Sequence, residues 1–225
     1  MFGFKYHFLS PHYVPDNHSE FFNKIYAAWK VTFKEVVESA GGVLDPDDFF
    51  RCDHVGVITH KNEIVGLSLL TMFDLKLHSS VEHHYIRALE NPTQEQLLKR
   101  GISRLISIEY LNVLPEWRKS HSNVAWTEVL IGMGLKFMDE SVADVIIGMP
   151  RIDRKVDQIC QNLEGYEIQA PISKMNYPCA VLIFNKQDKR RFKNEITEQY
   201  VQSLWKSREI VGIAPFQKQI FKKAV

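Results

Sequence analysis

Nothing in these 225 residues is apolar for long enough to cross a bilayer. No run approaches the roughly 18 residues that a helical span needs. The opening stretch, MFGFKYHFLSPHYVPD, has no basic region leading into an uninterrupted apolar segment, so no secretory leader is expected and the chain reads as cytoplasmic. Cysteine is scarce: Cys52, Cys160 and Cys179 are odd in number and far apart, which excludes a disulfide framework and a CxxC metal knuckle and leaves reduced, packed thiols. No internal repeat or low-complexity tract is present. Charge of one sign is also lacking, with 28 Lys and Arg against 27 Asp and Glu, but the balance is uneven along the chain. Residues 186–225 carry +6 and residues 1–185 carry −5, as a solvated basic helix or a surface for an acidic partner would. A nucleic-acid role is not expected, because the basic tail holds one tryptophan, Trp205, and no stacking motif.

What is present suffices for a sizeable core. A hydrophobic fraction of 45% with 24% charged residues is that of an ordinary globular domain. Ser19 to Ser39 has Phe22, Ile25, Tyr26, Trp29, Phe33, Val36 and Val37 at helical spacing, and Gly41-Gly42 ends the pattern. HVGVITH and EIVGLSLLTMFD, separated by Lys61-Asn62, predict a β-hairpin. One or two helices are expected between Leu77 and Arg100. RLISIEYLNVL predicts a strand, and Asn123–Glu140 a helix with Trp126, Val129, Leu130, Met133 and Phe137 on its apolar face. ADVIIGMP predicts a short buried strand, Arg154–Leu163 a helix closed by Gly165, YEIQ and CAVLIFNK the last strands, and NEITEQYVQSLWKSREI a final helix.

This order, with LNVLPEWRKS before the amphipathic helix and NLEGYEI after a later one, resembles the GNAT superfamily of N-acetyltransferases over roughly residues 20–186. The resemblance implies an α/β (α+β) fold: a central mixed sheet with splayed parallel strands, flanked by helices. Residues 105–114 and 144–149 would be those adjacent parallel strands, joined by the helical crossover that parallel pairing requires. Residues 1–186 would form the acyltransferase domain and 187–225 a basic helical appendage. In the family, the turn after the central strand holds the pyrophosphate of coenzyme A on backbone N–H groups at a helix start, where the unpaired donors and the helix dipole favour an anion. Its pattern is Arg/Gln-x-x-Gly-x-Gly/Ala. From Arg118 this chain has RKSHSN, with His121 and Asn123 in the glycine positions. Either Ser122 or Asn123 only caps a structural helix, or the donor is less bulky there, as is the phosphopantetheine of an acyl carrier protein with its single phosphodiester.

The GNAT relatives with such donors are acyl-homoserine-lactone synthases and N-acyl amino acid synthases. AAWKVTFKEVV followed by LDPDDFF is similar to their front helix and acidic loop, as is the long insert from Leu75 to Arg104. The lactone synthases place a Glu, then Ser-Arg-Phe, before the strand's terminal Val. At that distance from Val113 stands Ser107, with Glu109 two residues on and on the same strand face. Glu109 is thus a candidate base for the acceptor's ammonium, or a carboxylate paired with Arg104 or Arg118. His121 is a second candidate base or a phosphate ligand. The Leu114 N–H would be the oxyanion donor, and Arg118, Lys119, Ser120, Ser122, Asn123 and Val124 would surround the donor phosphate. The family's acidic Tyr is absent: its position is Gln161, next to Cys160. His78, Glu82, His83 and His84 include one pair at helical spacing, His78 with Glu82, and no metal is expected. Asp45, Asp47 and Asp48 fit a cationic acceptor or a turn. The function implied is transfer of an acyl group from acyl-CoA or an acyl carrier protein to the amine of an amino acid or small metabolite. The alternative is a non-catalytic GNAT-like module that binds a ligand or partner.

Overall fold

The computed structural model describes residues 3–118 and 124–212. In chain order the elements are β1 (Phe4–Leu9), α1 (Ser19–Ser39), α2 (Asp47–Phe50), β2 (His54–His60), β3 (Glu63–Asp74), α3 (His78–Val81), α4 (Asn91–Lys99) and β4 (Arg104–Val113). Then follow α5 (Trp126–Glu140), β5 (Val145–Gly148), α6 (Val156–Asn162), β6 (Tyr166–Lys174), β7 (Tyr177–Asn185), α7 (Glu195–Lys206) and β8 (Glu209–Val211). Among the described residues the strands form one mixed sheet in the order β6-β7-β5-β4-β3-β2-β1-β8. The β4–β5 and β1–β8 pairs are parallel and the others antiparallel.

Two hairpins are closed without glycine. Lys61 and Asn62 have φ of 48° and 69°, and Met175 and Asn176 have 51° and 58°. Two consecutive left-handed residues turn the chain with the twist of the flanking strands, and an asparagine in each pair tolerates the conformation well. On one face of the sheet α5 lies in a core with Ile106, Val129, Leu130, Phe137, Ile146 and Val201. On the other, α1 and α2 cover β2 and β3 through Phe22, Ile25, Trp29 and Phe49, and the insert after β3 covers β5 and β7 through Tyr85, Ile86, Leu89 and Leu97.

The site depends on an irregularity in β4. Leu69 pairs with Glu109 but Leu67 with Asn112, so two residues of β4, Tyr110 and Leu111, stand opposite one of β3. Tyr110 has φ 49°, in the left-handed region that a bulky side chain rarely enters. It is held there by its hydroxyl, which donates to Asp48, and by edge contacts with Trp29 and Phe33 at 5.6 and 4.8 Å between ring centres. The bulge changes the parity of the strand: Ile106 and Ile108 face α5 before it, Leu111 and Val113 after it. β4 therefore bends, and its pairing with β5 ends at Ile108↔Gly148 while β4 runs on to Val113. Beyond that fork the β5-side edge of β4 faces a cleft instead of a strand.

Residues 187–212, expected as part of an appendage, pack into this body. A Cβ on Gly132 of α5 would stand 2.7 Å from the Val201 side chain and 3.0 Å from Phe192, so glycine is what lets α7 lie against α5. Glu140 at the end of α5 accepts from Trp205 Nε1 and from the Arg208 guanidinium, both at 2.7 Å. β8 then adds to β1, with His7↔Glu209 and Leu9↔Val211 in register.

Candidate active site

The cleft opened by the fork encloses about 460 Å³ and is walled from both faces of the sheet. Ile108, Ile131 and Phe184 come from the α5 side, and Phe33, Tyr85 and Lys174 from the α1 side. It thus passes between the two layers, with the first residues beyond the fork, Glu109 on β4 and Met149 after β5, on either branch.

Glu109 is the candidate that the structure places best. Its carboxylate accepts from the Ser107 hydroxyl at 2.8 Å, so the two positions that the resemblance left one pleat apart share a hydrogen bond. Neither Arg104 nor Arg118 pairs with it. The cation beside it is Lys174 at the end of β6, whose Nζ lies 3.7 Å from Oε2, with the Glu109 side chain 9% exposed. Burial pushes the Lys174 ammonium below the usual lysine range, and the Glu109 carboxylate opposes that shift. Lys174 also sits 4.0 Å from the centre of the Tyr85 ring. Lys174 and Tyr85 were both missed in the sequence. Lys174 lies beyond YEIQ, where no element is expected, and Tyr85 closes LHSSVEHHY, whose candidates are His78, Glu82, His83 and His84.

Several expectations are corrected. The Leu114 N–H donates to the Val65 carbonyl at 2.9 Å, because β4 still pairs with β3 there, so it is engaged within the sheet and not offered to the cleft. The crossover helix begins at Trp126, not at Asn123, and its cap residue is Ala125, which has no side-chain capping bond. Ser122 and Asn123, the expected capping residues, lie outside the described residues, and Thr127 in the first turn of α5 lines the cleft. Arg118 lines the cleft, but its Nε donates to the Val113 carbonyl at 2.6 Å and a terminal nitrogen donates to Asn112 Oδ1 at 3.2 Å. Val124 packs against the α5 core. Lys119, Ser120, His121, Ser122 and Asn123 lie outside the described residues.

The later helix begins at Val156, not Arg154, since Lys155 is left-handed with φ 57°. Gln161 bonds to Glu167 at 3.0 Å on the surface, and its neighbour Cys160 faces the cleft, with burial pushing its thiol up to about 12. In the acidic loop, Asp45 accepts the Asp47 N–H at 2.9 Å, a turn bond, and Asp45 and Asp48 both pair with Arg51. His83 Nδ1 accepts the Tyr85 N–H at 3.2 Å. Among the described residues no three His, Cys, Asp or Glu side chains gather as a metal set would, and no helix is long and apolar enough to cross a membrane.

A mixed sheet forked between a central parallel pair, with the crossover helix starting at the mouth of the fork, is the GNAT fold. No family model and no curated protein matches the sequence. Solved structures do match in shape. One is FeeM, an N-acyl amino acid synthase from uncultured soil microbes, with a TM-score of 0.58 and 12% identity over 82% of this chain and 91% of that one. The CoA-dependent acyl-homoserine lactone synthase BjaI has a TM-score of 0.58 and 11% identity over 94% and 95%. The acyl-homoserine lactone synthase LasI has 0.56 and 9% over 86% and 93%. The chain is thus similar in fold to synthases of the kind that its front helix, acidic loop and insert resemble.

Proposed function

We propose that this protein is an N-acyltransferase that moves an acyl group from a thioester donor to the amine of an amino acid or another small metabolite. The observation that carries this reading is the fork itself: a passage between both faces of the sheet, with a buried carboxylate at its branch point. A donor entering on the α5 side and an amine entering on the α1 side would meet beside Glu109. Glu109 would take a proton from the ammonium. The free amine would then attack the thioester carbonyl carbon, and the C–S bond would break to give the amide and a thiol. Lys174, 3.7 Å away, would hold the Glu109 carboxylate in place between turnovers. The cleft wall also carries Arg118, Arg151 and Arg154, which suits an anionic donor.

The likeness to a CoA-dependent synthase and to an N-acyl amino acid synthase supports a pantetheine thioester as donor and an amino acid among the acceptors. His121 and Asn123, in place of the family's glycines, support a carrier-bound donor with one phosphodiester over the diphosphate of coenzyme A. The test is to incubate the protein with octanoyl-CoA or an octanoyl-acyl carrier protein and a pool of amino acids, and to look for new amides by mass spectrometry. Amide formation is expected, faster from the carrier-bound donor. Donor binding with no amide from any acceptor would make the protein a binding module instead.

A further inference from the structure

Tyr85 follows α3 and is 1% exposed, yet it lines the cleft. Its ring is clamped: Phe73 stacks on it at 6.2 Å with 7° between the planes, and the Lys174 ammonium lies 4.0 Å from its centre. The hydroxyl is therefore fixed in position. It makes no hydrogen bond of ordinary geometry among the described residues. The Met149 N–H bears on its oxygen, but no acceptor takes its proton. A buried hydroxyl without an acceptor is costly, and one on a cleft wall is satisfied when a ligand supplies the acceptor.

We infer that the Tyr85 hydroxyl donates a hydrogen bond to a carbonyl oxygen of the bound ligand. If the acyltransferase reading holds, that oxygen is the thioester's. Three observations place it there. Met149 is the first residue past the fork on the β5 side, so the hydroxyl stands at the branch point, across from Glu109. The cleft also has apolar walls, Ile108, Ile146 and Phe184, that suit a neutral acyl group, whereas a carboxylate would be better served by Lys174 or Arg151. The Leu114 amide, the expected donor to this oxygen, is already bonded to Val65. Burial, and then the Glu109 carboxylate, raise the tyrosine well above its ordinary range, so the proton stays on the oxygen at every working pH. A donor that is neutral, fixed and buried is what a carbonyl gathering negative charge in the transition state requires.

The test pairs a change in the protein with one in the ligand. Calorimetry would compare S-octanoyl-pantetheine with S-octyl-pantetheine, which lacks the carbonyl, on the wild type and on Tyr85→Phe. The wild type should bind the thioester about tenfold more tightly than the thioether, and in Tyr85→Phe the ratio should fall to about one or below. An unchanged ratio would overturn the inference and leave the acyltransferase reading standing. If the wild type binds neither compound, both fall. Without ligand, Tyr85→Phe should melt at the same temperature as the wild type or higher, because it removes an unsatisfied hydroxyl. A lower melting temperature would show that the hydroxyl has a partner within the protein, and would also overturn the inference.

Discussion

At the scale of single residues, the chemistry proposed for the cleft rests on Glu109 and on the two groups beside it in a buried place. A carboxylate that is 9% exposed needs a donor and a counter-charge, and Ser107 and Lys174 supply them. Glu109→Gln keeps the shape and the Ser107 contact but cannot accept a proton from an ammonium. Turnover should fall by roughly 10²–10⁴-fold, while calorimetric affinity for the thioester donor changes little. Unaltered turnover would place the base elsewhere. The Ser107–Glu109 pair was legible in the sequence because two residues apart on a strand means one face. Lys174 was not, since β7 and β5 stand between β6 and β4 in the sheet and its nearness to Glu109 arises only in the whole fold.

Elements decide the site's shape through two local departures from regularity. The first is the bulge at Tyr110, two residues past the last β4–β5 pair. The second is close packing of α5 on α7 at Gly132, which holds the crossover helix whose first turn opens on the cleft. Gly132→Ala puts a methyl group 2.7 Å from Val201. The helix propensity gained is smaller than the cost of that clash, because Val201 is a short, branched side chain in a close-packed core. The variant should be destabilised by about 1–3 kcal/mol in urea unfolding. A neutral or stabilised variant would mean that Phe192 and α7 cover α5 only loosely. The hydrophobic pattern of α5 predicted a buried helix, but a glycine within it carries no sign of which neighbour comes close.

The molecule as a whole carries a built-in sensitivity to acid. His54, at the start of β2, is wholly buried, its ring between Phe8 and Phe137 at 4.7 and 5.3 Å. Burial lowers its pKa from 6.5 to about 4. The unfolded chain thus binds a proton that the folded one refuses, and stability present above pH 6.5 is lost as the pH falls toward 4, on the order of 3 kcal/mol from this one group. Buried His7, also lowered by burial, acts in the same direction. In urea unfolding at a series of pH values, His54→Phe should show a shallower loss of stability between pH 6.5 and 4 than the wild type. Parallel curves would mean that His54 is protonated in the folded state.

The sequence by itself determined the local elements. The helix over Ser19–Ser39, the Lys61-Asn62 hairpin and the strand ending at Val113 follow from apolar spacing and turn residues, all interactions between near neighbours. Their order was enough to suggest the fold, and with it Glu109. It left β1 unassigned, although Phe4, Tyr6 and Phe8 alternate with polar residues, and it stopped β6 at YEIQ. What tertiary structure decided is where strand pairing stops and which distant side chains meet there. The left-handed Tyr110 is held by Asp48, Trp29 and Phe33, residues 62 to 81 positions away, so nothing within IEYLNV announces a bulge. Lys174, Tyr85 and Glu109 come together for the same reason: a side chain's charge and its hydrogen bonds depend on its neighbours in space, and those are set by the packing of the whole sheet.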